Sequence, residues 1–132
     1  MSKVQTITVP ILLEAGIVKN KTYYLNLNQY NTWHFQVKNQ LKKLFKIRIL
    51  KDVRALEKLT EPCKISYKIY YPTRRVFDLD NVGSVIAKFT HDVLTEVGII
   101  EDDNYTIVKE LVYTFGGFDK ENPRCEVTIE EI

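Results

Sequence analysis

Cysteine and histidine are scarce in this chain, with two of each among 132 residues. Cys63 and Cys125 stand far apart and alone, which excludes both a disulfide framework and a four-ligand zinc site. His34 and His91 lack the spaced partners of a metal or nucleophile site and read as structural or surface side chains. No apolar run approaches the length needed to cross a bilayer. The opening "MSKVQTITVP" passes straight into strand-like alternation without the core of a signal peptide. Gly116-Gly117 reads as a turn and lacks the pattern of a phosphate-binding loop. There is no repeat and no low-complexity segment. These absences point to one reduced, intracellular domain over residues 1–132, cytoplasmic and free of membrane.

What is present is ordinary in amount and uneven in placement. Hydrophobic residues make up 45% and charged residues 27%, typical of a globular protein. A chain of this length buries about two-thirds of its unfolded surface. The net charge of +2 hides a split: residues 1–77 carry +11 and residues 78–132 carry −9. That asymmetry fits a basic surface for a polyanion beside a separate acidic locus. It fits equally two halves that attract one another on folding.

"VQTITVP" alternates and predicts a strand ending near Pro10. Residues 11–27 hold no sustained period and read mostly as loop. Asn28 suits the N-cap of a long helix whose apolar stripe includes Tyr30, Trp33, Val37, Leu41, Leu44 and Phe45. That helix continues, with a break or bend, through "LKDVRALEKL". After Pro62, Ile65, Tyr67, Ile69 and Tyr71 alternate as in a half-buried strand. Val82, Val85, Ile86, Phe89, Val93, Leu94 and Val97 form a second helical stripe, and Gly98 suits the position just beyond it. "YTIVKELVYTFGG" and "RCEVTIEEI" predict two more strands, joined through "GGFDKENP" as a C-terminal β-hairpin. The fold class is α+β in the order β-α-β-α-β-β: a mixed sheet packed with two main helices.

The second helix is flanked by acids, Asp78 and Asp80 before it and Asp102 and Asp103 after it. Acids at a helix start cap free N–H groups and favour the dipole, but acids after its end gain nothing from either effect. Should the pairs converge, two carboxylates about 4 Å apart repel by about 4 kcal/mol at an effective dielectric of 20. Such a cluster needs protons or a cation. Oxygen-only ligands favour a hard ion such as Mg²⁺, which can activate water and stabilise charge on a phosphodiester.

"DLDN", a helix bearing a lysine, and "DVLTEVGIIEDD" together resemble the signature of the RusA family of Holliday-junction resolvases. The order of strands and helices outside this stretch is similar too. The resemblance implies Asp78, Asp80 and Asp103 as catalytic metal-binding carboxylates, Asp102 as a contributing ligand, and Asn81 as an orienting group. It implies Lys88 as the catalytic cation, steadying charge on the scissile phosphate. Lys88 lies seven residues after Asn81, about one helical turn further than the family's spacing, while its distance to Asp92 and "GIIEDD" is kept. Asp80, Ser84, Lys88 and Asp92 still form one i, i+4 line, and Asp92 is also the natural ion-pair partner of Lys88.

Between Gln36 and Lys58 there are eight Lys/Arg against two acids. Lys38, Lys42 and Lys46 recur on one helix face, and Arg74 and Arg75 closely precede Asp78. Together they are expected to neutralise DNA phosphates, although a solvated helix face explains any single one of them. Tyr30, Trp33 and Phe35 are aromatic enough to stack on an opened base, though core packing explains most of them. The expectation is a Mg²⁺-dependent homodimer, with Mn²⁺ as a substitute ion, that resolves four-way DNA junctions by paired nicks in recombination and repair. The first helix or the terminal hairpin would supply the dimer interface. Family likeness also implies a phage or prophage setting in the host-cell cytoplasm. The alternatives are a non-catalytic DNA-binding or replication accessory protein and a metal nuclease acting on flaps or other branched DNA.

Overall fold

The computed structural model describes residues 3–14 and 21–132. The order is β1 (Val4–Val9), β2 (Leu12–Glu14), β3 (Thr22–Tyr24), α1 (Leu27–Tyr30), α2 (Phe35–Arg54), β4 (Cys63–Tyr71), α3 (Leu79–Val97), β5 (Val108–Phe118) and β6 (Arg124–Glu131). Four strands make a mixed sheet in the order β1-β6-β4-β5. The strand between Pro62 and Pro72 is central because its alternation is strict: Cys63, Ile65, Tyr67, Ile69 and Tyr71 are all buried. Those side chains meet the stripes of the two long helices. Leu41, Phe45, Ile49 and Val53 of α2 and Val82, Ile86, Phe89 and Val93 of α3 are buried. Phe45 and Phe89 pack edge to face across the helix pair, 5.5 Å between centroids, the geometry favoured by the ring quadrupoles. The result is the expected α+β fold with both main helices packed on the sheet.

Four details differ from the sequence reading. The two C-terminal strands form, but they do not bond to one another: β5 runs parallel to β4, and β6 pairs antiparallel with β4 on the opposite side. The connection between them crosses the end of β4, where the Asp119 N–H donates to the Tyr71 carbonyl at 2.8 Å. The α3 crossover brings β5 in parallel beside β4, and the turn-forming residues are numerous enough to step over a single strand. Gly116 and Gly117 lie within β5 rather than in a turn, at a register irregularity opposite Ile69 and Tyr70. A Cβ on Gly116 would stand 2.8 Å from the Tyr70 ring, so close approach explains the glycine.

Part of the segment read as loop forms a short ladder, Leu12–Glu14 with Thr22–Tyr24, because Leu13 and Tyr23 reach the core; residues 15–20 lie outside the described residues. The long helix does not start at Asn28. Asn26 caps the four-residue α1 through its side chain, and His34 caps α2, which then runs unbroken to Arg54. Gly98 ends α3 at φ 88°, as its position predicts.

Glu131, at the end of β6, fastens the strand to the segment after α2. Its carboxylate accepts from the Thr60 N–H at 3.1 Å and the Glu61 N–H at 2.9 Å. Desolvation pushes its pKa up, but those N–H groups and Lys3 outweigh it and hold the carboxyl below the ordinary 4.5. A depressed carboxyl pKa stabilises the fold above the unfolded value, and the benefit is lost as pH falls through the folded one. Glu131→Gln is therefore expected to lower the urea midpoint at pH 7. The gap from the parent should close as the titration is repeated below about pH 4.5.

Candidate active site

Asp78 is the N-cap residue of α3, yet its side chain makes no capping hydrogen bond. A capping aspartate normally gives its oxygen to an N–H of the first turn. Here the carboxylate is exposed and left available. Asp80, in the first turn, is exposed as well, and its charge helps to raise the Tyr113 pKa, behind burial as the larger cause. Tyr113 packs over Gly83, one turn into the helix, where the chain comes so close that a Cβ would lie 2.6 Å from the ring.

The second pair of acids lies past the other end of α3. Asp102 accepts from the Asp103 N–H at 2.7 Å and from the Asn104 amide at 3.0 Å, and these bonds hold its pKa below the ordinary carboxylate range. Asp103 approaches His91, with Oδ2 at 3.9 Å from Nδ1. His91 is buried, and burial pushes its pKa down against the opposing pull of Asp103. Its Nε2, the Tyr67 hydroxyl and the Ser84 hydroxyl are buried without a partner among the described residues. The rings of Tyr67 and His91 stand 5.9 Å apart and those of Tyr67 and Tyr113 5.8 Å. A polar seam thus underlies the face of α3 that joins the two acidic ends.

The eleven residues from Asp80 to His91 correspond to about 16 Å of helix rise and close to three whole turns. The acids share a face and stand at its two ends. Among the described residues of one chain, no three carboxylates, histidines or cysteines come close enough to hold a metal ion. A single chain therefore does not assemble the expected four-aspartate set. The donors themselves, all carboxylate oxygens, are the type a hard cation requires.

Lys88 lies between the ends, exposed, and enters no ion pair among the described residues. The anticipated Lys88–Asp92 bridge does not form. Burial raises the Asp92 pKa, with Lys42 and then Lys88 opposing it and Asp103 adding to it, so Asp92 belongs to the charge field of the distal acids.

The basic residues divide. Lys46 bonds Glu96 at 2.6 Å, Lys42 lines a cleft with Asp92, and Lys38 sits 4.3 Å from the Tyr30 ring centre. Those three lysines thus lie beside acids or a ring, while Lys43, Arg48, Lys51, Arg54 and Lys58 are exposed. Arg74 lies over the Phe118 ring at 4.9 Å, while Arg75 is exposed and lines a cleft with Asp78. Trp33 is buried against Tyr23 and Tyr30, which makes it a core residue. Cys63 and Cys125 are buried and free, and burial pushes the Cys125 thiol up to about 12.

Sequence reasoning set His91 down as a structural or surface side chain and gave Asp92 only as the ion-pair partner of Lys88. His91 carried a signal: it falls three turns after Asp80 on the same face.

Exposed carboxylates, a lysine with no ion pair among the described residues and nearby arginines thus stand along one helix and its approach, and the family comparison places the chain among the endodeoxyribonucleases. The matching family model, described as Endodeoxyribonuclease RusA, covers residues 16–130, and the chain belongs to that family. The curated proteins contain no match. Among the described residues, no helix is long and apolar enough to cross a membrane.

Proposed function

We propose that the protein is a divalent-metal-dependent endonuclease that resolves four-way DNA junctions by paired nicks, acting as a homodimer. The observation that carries this reading is Asp78, a helix-cap aspartate whose carboxylate takes no helix N–H. Asp80 lies two residues along, in the first turn of α3, Arg74 and Arg75 stand close before it, and the family acts on DNA. In this reading Arg74 and Arg75 hold backbone phosphates, and Lys88 steadies charge on the phosphate under attack. A bound divalent cation would supply an activated water and neutralise that charge.

The separation of the acids along α3 supports a second chain as part of the site. The outer edge of β5 is unpaired among the described residues, and Leu111, Phe115 and Phe118 along that strand are 46%, 43% and 43% exposed. A long, apolar free edge is a template for pairing. Two copies joined antiparallel along β5 would set the start of one strand, near Asp102 and Asp103, beside the end of the other, toward Asp78 and Asp80. Two-fold symmetry then yields two equivalent sites, which suits two nicks in a near-symmetric junction.

The test is a labelled four-way junction incubated with Mg²⁺ or with EDTA. Paired nicks in Mg²⁺ alone are expected. Binding in both conditions without cutting would identify an accessory DNA-binding protein. Equal cutting of flaps, single strands and junctions would identify a branched-DNA nuclease of broader choice.

A further inference from the structure

Toward the end of α3, His91 occupies a position that an apolar side chain would fill without penalty. It is 5% exposed and lies beside Tyr67 of the central strand, with the two rings 5.9 Å apart. Its Nε2 is buried without a hydrogen-bond partner among the described residues. A polar atom left in that condition is destabilising, and packing gives no reason to keep one. The reason lies at the other nitrogen: Nδ1 stands 3.9 Å from Oδ2 of Asp103.

The two nitrogens are not equivalent. A neutral imidazole has one N–H and one bare nitrogen. With the proton on Nε2, a buried N–H would be orphaned and the Nδ1 lone pair would face a carboxylate. With the proton on Nδ1, the buried orphan is an acceptor alone and an N–H faces the anion. Only the second arrangement contains an attraction. Burial favours the neutral ring against the pull of Asp103. A charged ring would carry the same Nδ1–H, so the arrangement does not depend on a titration.

Asp103 lacks any other support of this kind. Its side chain is 48% exposed, and its carboxylate accepts no hydrogen bond among the described residues. It lies past the helix end, outside any strand, and its charge adds to the raised pKa of Asp92. A carboxylate that binds an ion is normally itself held by a hydrogen bond, which fixes its orientation. The separation of 3.9 Å exceeds a hydrogen bond. A small rotation of Asp103 closes it, and such bonds commonly tighten only when the site is filled.

We propose that His91 is a positioning residue for Asp103: its Nδ1–H donates to one carboxylate oxygen and turns the other toward a divalent ion. The inference rests on the reading that Asp103 is one of the carboxylates that hold that ion. It extends the site into the core, because the ring that aims Asp103 is packed between α3 and Tyr67.

The test measures Mn²⁺ binding to the whole protein without DNA, from the loss of the free ion's electron paramagnetic resonance signal. His91→Leu should weaken binding about tenfold, as loss of a residue that orients a ligand does. Asparagine places its NH₂ near the position of Nδ1, and glutamine places its own near Nε2. His91→Asn is therefore expected to stay within about threefold of the parent, and His91→Gln to fall with leucine. In an Asp103→Asn background, itself about tenfold weaker, His91→Leu should add little. Two residues that act through one contact couple in this way.

A loss in His91→Leu that persists undiminished beside Asp103→Asn overturns the inference, since the residue then acts through the fold. Equal binding by the asparagine and glutamine variants overturns it as well, a comparison that stands if the leucine variant does not fold. Unchanged affinity in His91→Leu, with affinity lost in Asp103→Asn, overturns the inference and leaves Asp103 at the ion. Unchanged affinity in Asp103→Asn, or a parent that binds no Mn²⁺, removes the ion-site reading and the inference with it.

Discussion

Asp78→Asn, Asp80→Asn and Asp103→Asn, made one at a time, are each expected to reduce junction cutting by about a thousandfold, the effect of losing several kcal/mol of charge stabilisation at the reacting phosphate. Junction binding in EDTA should persist, since removing a negative charge does not weaken contact with a polyanion. Asparagine keeps the size of each side chain, and none of the three carboxylates caps a described helix N–H, so the fold should be unaffected. The decisive experiment mixes variants. If Asp78 and Asp80 of one chain work with Asp103 of another, a mixed dimer of Asp80→Asn and Asp103→Asn chains contains one intact site and one doubly altered site. Refolding the two variants together should restore single nicks while paired nicks stay absent. Restoration of neither would place all three acids in one chain, and full activity of any single variant would remove that residue from the site.

The second large effect concerns Gly83. An ideal Cβ there lies 2.6 Å from Cδ1 and 2.8 Å from Cγ of Tyr113. Those atoms sit at the root of the ring rather than at its tip, so rotation of the tyrosine alone does not relieve the contact. Alanine at a helical glycine normally gains about 1 kcal/mol, whereas overpacking of this kind costs about 1–3 kcal/mol. Gly83→Ala should therefore be destabilising in urea, against the usual trend, and Gly83→Val should leave little folded protein. The cause can be isolated: Gly83→Ala should be far less harmful in a Tyr113→Ala background than alone, a coupling that a purely helical effect cannot produce. Because Asp80 lies near Tyr113, a displaced ring should also depress cutting in whatever Gly83→Ala protein folds.

How legible the molecule was in its sequence varies by element. The helix at Leu79–Val97 declared itself through its apolar stripe and terminal glycine, and the strand at Cys63–Tyr71 through its alternation, because each pattern reflects burial on one face. The neighbours of that strand did not. A turn-rich segment announces that the chain reverses, and nothing local says whether it steps over another strand on the way. The start of the first long helix was misplaced because Asn26, Asn28 and His34 can all cap, and the choice is made by docking of Tyr30 and Trp33 against the core. The acids were found by their pattern around a helix, but spacing cannot report that they stand at its two ends. Lysines at 42 and 46 read as a surface for DNA, and nothing local says that they also lie beside Asp92 and Glu96, about fifty residues further on.

The sheet order has a consequence for how the molecule forms. Among the described residues β6, the last element in sequence, alone links β1 to the rest of the sheet; Val4 finds its place opposite Glu130. During synthesis the opening strand must wait, unpaired, while both long helices and the central strand emerge. Such distant pairing slows folding, and a nascent chain halted before Arg124 would present two raw edges to whatever surrounds it.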